Sequence, residues 1–212
     1  MNDFSTFILI LICITVFYVY LENKSSEVTY VNYGSVEYLV RNLPDKEKAA
    51  ELLSKVRGNC ETLVNHLSSD IKKNHKKYTK QNITDIKRLD KNFRPDNISE
   101  SNPGNNYTSY SINKGEKIVF CIRHKHTEIK GELVDINTIM FVAIHELAHL
   151  MTKSIGHTPE FWDNMRFLLK HGIDLGVYKY VNYNEHKEKY CGILITSTPL
   201  DISQLSDSNK KK

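Results

Sequence analysis

The segment DINTIMFVAIHELAHLM, residues 135–151, constrains this chain more than any other. Ile139, Val142, Leu147 and Leu150, flanked by further Met, Phe, Ala and Ile, predict a helix buried on most of its surface, with Asp135 or Asn137 as its cap. Inside this apolar run lie His145, Glu146 and His149. Two imidazoles and a carboxylate are costly to bury unless something pairs with them. His145 and His149 are four apart and so share a helical face, one turn from each other. This is the H-E-x-x-H arrangement, in which two imidazoles hold zinc and the glutamate handles a proton of the metal's water. A lone histidine on such a helix reads as a satisfied core residue; three polar groups at ligand spacing do not.

A catalytic zinc takes three protein ligands and keeps one position open. After Leu150 the chain reads MTKSIG and then His157. Gly156 can adopt backbone angles closed to other residues, so the chain can turn back toward the metal there. Thr158 as cap, Pro159 in the first turn and Glu160 beside it predict a second helix, with Phe161, Met165, Leu168 and Leu169 at helical spacing and Gly172 at its end. His157 is the expected third ligand. Glu160, His171 and the more distant His124, His126, Glu185 and His186 are the alternatives.

HELAH followed by Gly156, His157, Pro159, Phe161 and Trp162 resembles the active-site segment of the SprT-like and WLM (Wss1-like) zinc metallopeptidases. From about Asn92 through Leu200 the chain resembles more closely still the membrane-anchored metallopeptidases inferred in large DNA viruses. The resemblance implies a zincin-like fold, one catalytic zinc on His145, His149 and His157, Glu146 as general base, and Phe161 and Trp162 packed behind the third ligand. One departure is visible: His157 follows His149 by eight residues, where the commonest bacterial and WLM spacing is six.

At the N-terminus FSTFILILICITVFYVYL, from Phe4 to Leu21, carries no charge. As a helix it would extend about 27 Å, close to the roughly 30 Å of a bilayer's hydrocarbon layer. Without a basic leader or a small-residue cleavage site it reads as an uncleaved anchor, making the chain a single-pass protein of a host or virion membrane. The expected organisation is a transmembrane anchor over 1–21, a tether and extended segment over 22–43, a metallopeptidase domain over 44–200, and a polar tail over 201–212. Within that domain, 44–91 is the helical portion and 92–200 carries the metal site. The fold class is α+β: an N-terminal transmembrane helix, then a compact, mostly helical domain with a small antiparallel sheet.

In the helical portion Ala49, Leu52, Leu53, Val56, Cys60, Leu63, Val64 and Leu67 form one apolar stripe of a helix from Pro44 to about Leu67. The lysine-rich DIKKNHKKYTKQ that follows lacks the interleaved aromatics of a stacking surface and reads as a solvated helix end, so nucleic acid is an unfavoured partner. Cys13 falls in the anchor, and Cys60, Cys121 and Cys191 are too sparse for a disulfide scaffold. A polar interval, KNFRPDNISESNPGNNYTS, reads as loop, and YTSYSI and KIVFCIRHK form a strand pair turning at Asn113 to Gly115. By the family-like layout, Ile118, Val119, Phe120, Cys121 and Ile122 are the expected strand that aligns an extended substrate. Tyr190 and Tyr183 are the candidates for a hydroxyl that stabilises the oxyanion.

The function these readings imply is a membrane-tethered zinc endopeptidase acting on a protein or peptide substrate. The alternatives are a zincin-fold membrane protein without useful turnover, acting in virion or membrane assembly, and a nucleic-acid-associated protease.

Overall fold

The computed structural model describes residues 3–25, 27–102, 104, 108–125 and 131–201. Helix α1 (Asp3–Ser25) comes first, then the hairpin β1 (Val28–Tyr33) and β2 (Val36–Arg41). Helices α2 (Lys46–Lys73) and α3 (Lys80–Asn92) lead into β3 (Ile98–Glu100), β4 (Tyr110–Ile112) and β5 (Lys117–Phe120). Helices α4 (Ile136–Met151) and α5 (Pro159–Asp174) precede a last hairpin, β6 (Glu188–Tyr190) and β7 (Ile193–Ile195).

The α+β expectation agrees with this architecture, but the transmembrane part does not. Among the described residues no helix is long and apolar enough to cross a membrane. The spanning anchor over 1–21 and the single-pass placement in a host or virion membrane are therefore corrected.

The sheet also differs. Its order is β3-β5-β4, with β3 parallel to β5 and β4 antiparallel, so it is mixed rather than antiparallel. A parallel neighbour needs a crossover, and the long interval between Glu100 and Lys117 provides it. Behind the sheet, Arg123, 3% exposed, donates from Nε to Glu100 at 2.8 Å and from Nη1 to Asp45 at 2.6 Å, while Glu100 accepts the Arg41 backbone N–H at 2.7 Å. Built on the buried Arg123–Glu100 pair, these contacts tie the chain just after β5 to the N-cap of α2.

Helix α2 buries the expected stripe and continues past Leu67 to Lys73. Its lysines at 72 and 73 lie in the last turn, where cations suit the negative end of the helix dipole. Asp70 accepts from Lys77, Asn74 and Tyr78, so the basic run folds onto the end of its own helix.

Helix α3 has a capping box between Thr79 and Asn82 and buries Ile83, Ile86 and Leu89. Its far end supports the helix that carries the histidines. Asn92 donates to the Leu150 carbonyl at 3.1 Å and Arg88 to the Met151 carbonyl at 2.6 Å. From the β4–β5 turn, Lys114 donates to the Thr152 and Lys153 carbonyls at 2.9 and 2.7 Å. The carbonyls that a helix C-terminus leaves without intrahelical partners are thus met by one amide and two cations.

The same turn depends on Gly115, whose φ is 107° and where a Cβ would stand 2.2 Å from the Asn92 backbone oxygen. Both the left-handed backbone and the steric closeness exclude a side chain. Gly115→Ala is expected to destabilise the chain by about 2–4 kcal/mol. A urea midpoint unchanged from wild type would contradict this packing.

Cys121 and Cys191 form a single disulfide, while Cys60 is buried and free. The sequence separation is 70 residues. In the chain-entropy account, closing such a loop stabilises the fold by about 4 kcal/mol.

Candidate metal centre

Helix α4 starts where the sequence places it: the Asp135 carboxylate accepts from the backbone N–H groups of Asn137 and Thr138 at 3.0 and 3.1 Å. Nearly all its other faces are buried, including Ile139, Ile144, Leu147 and Leu150 at 0% exposure. On the remaining face the Nε2 atoms of His145 and His149 lie 3.2 Å apart.

The chain then leaves α4 at Thr152 in extended conformation, turns at Gly156 with φ 81°, and re-enters helix at Pro159 behind a Thr158 cap. Glu160 fastens this connection, accepting from the backbone N–H groups of Lys153 and Ser154 at 3.0 and 3.2 Å and from the Ser154 hydroxyl at 2.8 Å. The turn brings His157 Nε2 to 3.0 Å from His145 Nε2. Ligand atoms of His145, His149 and His157 all lie within 4.8 Å of one another, so the three can hold a metal ion. Three corners of a tetrahedron with bonds of roughly 2.1 Å are about 3.4 Å apart, near the spacing seen here.

Phe161, fully buried, forms the floor of this triad, with ring centroids 4.9, 4.4 and 4.7 Å from those of His145, His149 and His157. Trp162 packs on His157 at 5.5 Å. The electrostatics favour neutral imidazoles, the form with a lone pair to give a metal. Burial first, then His149 and His157, push the His145 pKa down to about 3. Burial, then His157 and Lys114, push that of His149 down to about 4.

Glu146 is 5% exposed, and burial pushes its carboxyl up to about 7. Ser111 of β4 opposes that rise, presenting its hydroxyl and backbone N–H to the carboxylate. A buried carboxylate thus follows directly on the first histidine of a triad of metal-ligand type.

Comparison with known proteins places the chain. It is 36% identical over 200 residues to uncharacterized protein R325 of Acanthamoeba polyphaga mimivirus, covering 90% of this chain and 96% of that protein. The chain belongs to the R325 family. Shorter matches are to uncharacterized protein 136R of Invertebrate iridescent virus 6, 37% identical over 70 residues, and uncharacterized protein 042R of Invertebrate iridescent virus 3, 41% identical over 71 residues. Each covers 33% of this chain, with 38% and 42% of the respective viral proteins. No family model and no solved structure matches.

In this member of the R325 family the other ligand candidates are elsewhere. Glu160 is committed to the α4–α5 connection. His171 packs against Phe167 at 4.5 Å and near His66 and Tyr78, and burial lowers its pKa to about 4. His124 follows β5, Glu185 and His186 are exposed, and His126 lies outside the described residues. The aligning strand is displaced too. Ile118, Val119 and Phe120 lie in the central strand β5, paired with β3 on one side and, through Ile118 and Val119, with β4 on the other; Cys121 and Ile122 follow it. Among the described residues the edge beside Glu146 is β4.

Both candidate tyrosines are buried. Tyr183 is buried against Phe141, 4.7 Å between ring centroids, near the start of α4. Tyr190 is 1% exposed, and its hydroxyl meets Ser109 Oγ at 2.6 Å, although it also feels the charge of Glu146. The sequence reading missed Ser109, Ser111 and Lys114; only the turn signal at Asn113–Gly115 pointed toward that strand pair.

Proposed function

We propose that the chain is a zinc-dependent endopeptidase, related in mechanism to the SprT-like and WLM zincins. One observation carries this reading: three histidine Nε2 atoms converge within ligand distance, and the residue following the first of them is a buried carboxylate. A set of three imidazoles suits several transition metals. The adjoining carboxylate and the open side of the exposed His157 favour a hydrolytic zinc over a structural one, which would be enclosed by four protein ligands.

When bound, zinc would supply Lewis acidity, polarising the scissile carbonyl and acidifying a water. The chain's own groups do the remainder. Glu146, held toward β4 by Ser111, takes the proton of the attacking water and returns it to the departing amine. Phe161 and the fastened 152–160 connection hold the imidazoles in place, so that ligand geometry is set before substrate arrives. The edge strand β4 accommodates an extended peptide by strand addition.

The purified full chain, loaded with zinc and dialysed, is expected to retain about one zinc per chain by mass spectrometry. It is expected to cleave an unfolded protein mixture, to stop on chelation and to recover with zinc. Failure to retain metal overturns the site; metal without turnover replaces the enzyme by a binding role.

A further inference from the structure

The hairpin β6–β7 is a two-stranded unit that pairs with no other strand among the described residues. Two strands alone are marginal in water. Its turn, Cys191-Gly192, has φ of 46° and 86°, the double left-handed geometry of a tight hairpin, with an ordinary L-residue at the first position. Ile193 and Leu194 are about half exposed, whereas Tyr190 and Cys191 are buried at 1% and 3%. Tyr190, Cys191 and Ile195 are the buried residues of the hairpin, and the bond from Cys191 to Cys121 ties its turn covalently to the body.

From that bond a series of contacts leads to the carboxylate. Tyr190 precedes Cys191, and its hydroxyl meets Ser109 Oγ at 2.6 Å. Ser109 Oγ also accepts the Cys121 backbone N–H at 3.0 Å. Two residues beyond, Ser111 faces Glu146. One disulfide thus fixes both ends of a bridge over the N-terminal side of β4: the amide of Cys121 from below, the hydroxyl of Tyr190 from above.

We infer that the Cys121–Cys191 disulfide and Tyr190 form a clamp that positions the Ser109–Ser111 segment, and through it the Glu146 carboxylate. Tyr190 is a positioning residue, since its hydroxyl is bonded to Ser109 and buried away from substrate. The clamp opens by reduction. A dithiol reductant transfers two electrons and two protons, the Sγ–Sγ bond breaks into two thiols, and the reductant becomes its own disulfide. Both cysteines are buried, so the reductant reaches them only when the hairpin lifts; serine variants give the same open state without that step.

This inference rests on the peptidase reading only for its effect on turnover, so the test has two readouts. The zinc-loaded full chain is compared, before and after dithiothreitol, with Cys121→Ser/Cys191→Ser and with Tyr190→Phe. In amide hydrogen exchange, residues 109–112 and 188–195 are expected to exchange about tenfold faster or more in the reduced and double-serine forms, with zinc content unchanged. In peptidase assays kcat is expected to fall about tenfold with little change in KM, and to return on reoxidation of the wild type. Tyr190→Phe is expected to show the same fall and little more on reduction. Unchanged exchange at 109–112 in both open forms, or a full further tenfold loss on reducing Tyr190→Phe, overturns the clamp. Absence of turnover in every form, with the exchange shift as expected, retains the clamp and sinks the peptidase reading.

Discussion

Glu146→Gln is expected to keep its zinc and lose about 10²–10⁴-fold in kcat, the usual contribution of a positioned general base. The amide has nearly the shape of the carboxylate and is not among the ligating atoms, so the triad of His145, His149 and His157 stays intact. Its carbonyl oxygen can still accept the Ser111 N–H, and the Ser111 hydroxyl can rotate to accept from the new amide, so the packing around β4 persists. What disappears is the capacity to take a proton from water. Metal content measured beside kcat checks both halves, and wild-type turnover would place the activity elsewhere.

The same variant has a stability signature in the metal-free chain. Burial raises the Glu146 pKa to about 7 in the folded state, from an ordinary value near 4.5 when unfolded. The folded state then binds more protons, so this group's stabilising contribution is complete below the unfolded pKa and is lost as pH rises through about 7. Metal-free Glu146→Gln is expected to gain stability relative to metal-free wild type at pH 8, and to gain less at pH 5.

His145→Ala, His149→Ala and His157→Ala are each expected to weaken zinc binding by more than the 10–100-fold typical of losing an outer-shell partner. The three should differ in what else they disturb. His145 and His149 sit on a helix that is buried nearly all round, packed on Phe161, so their truncation also opens space in the core. His157 is exposed on a connection fastened by Glu160, so its loss should leave thermal unfolding of the metal-free chain close to wild type. Glu160→Ala is expected to behave oppositely, lowering stability through the loosened connection and affecting zinc less. Chelator competition across this series decides the third ligand: full affinity in His157→Ala together with lost affinity in Glu160→Ala would reverse the assignment.

Much of the site was legible in the sequence because its grammar is local. The separation of His145 from His149 equals about one helical turn, so helix formation alone puts both on one face. The cap at Asp135, the turn at Gly156 and the Thr158-Pro159 entry into α5 are likewise short-range signals, each governed by the backbone of a few neighbouring residues. The Ile83, Ile86 and Leu89 spacing of α3 was equally present but lay within a strongly polar stretch, where three apolar residues make a weak periodic signal.

Tertiary structure decided everything that depends on elements far apart in the chain. Whether His157, Glu160 or His171 faces the two helical imidazoles depends on how α5 packs against α4, and Phe161 is what sets that packing. That β4 rather than β5 is the edge follows from β3 arriving in parallel from the other side, which residue periodicity within a strand cannot reveal. The pairing of Cys121 with Cys191, and the contact of Ser109 with Tyr190 across 81 residues, require the final hairpin to fold back over the sheet. The N-terminal run shows the same division: its lack of charge and its helicity were written in the residues, and among the described residues no helix is long and apolar enough to cross a membrane. Helix periodicity is enforced by hydrogen bonds four residues apart, whereas long-range partners are chosen by the joint burial of all the elements.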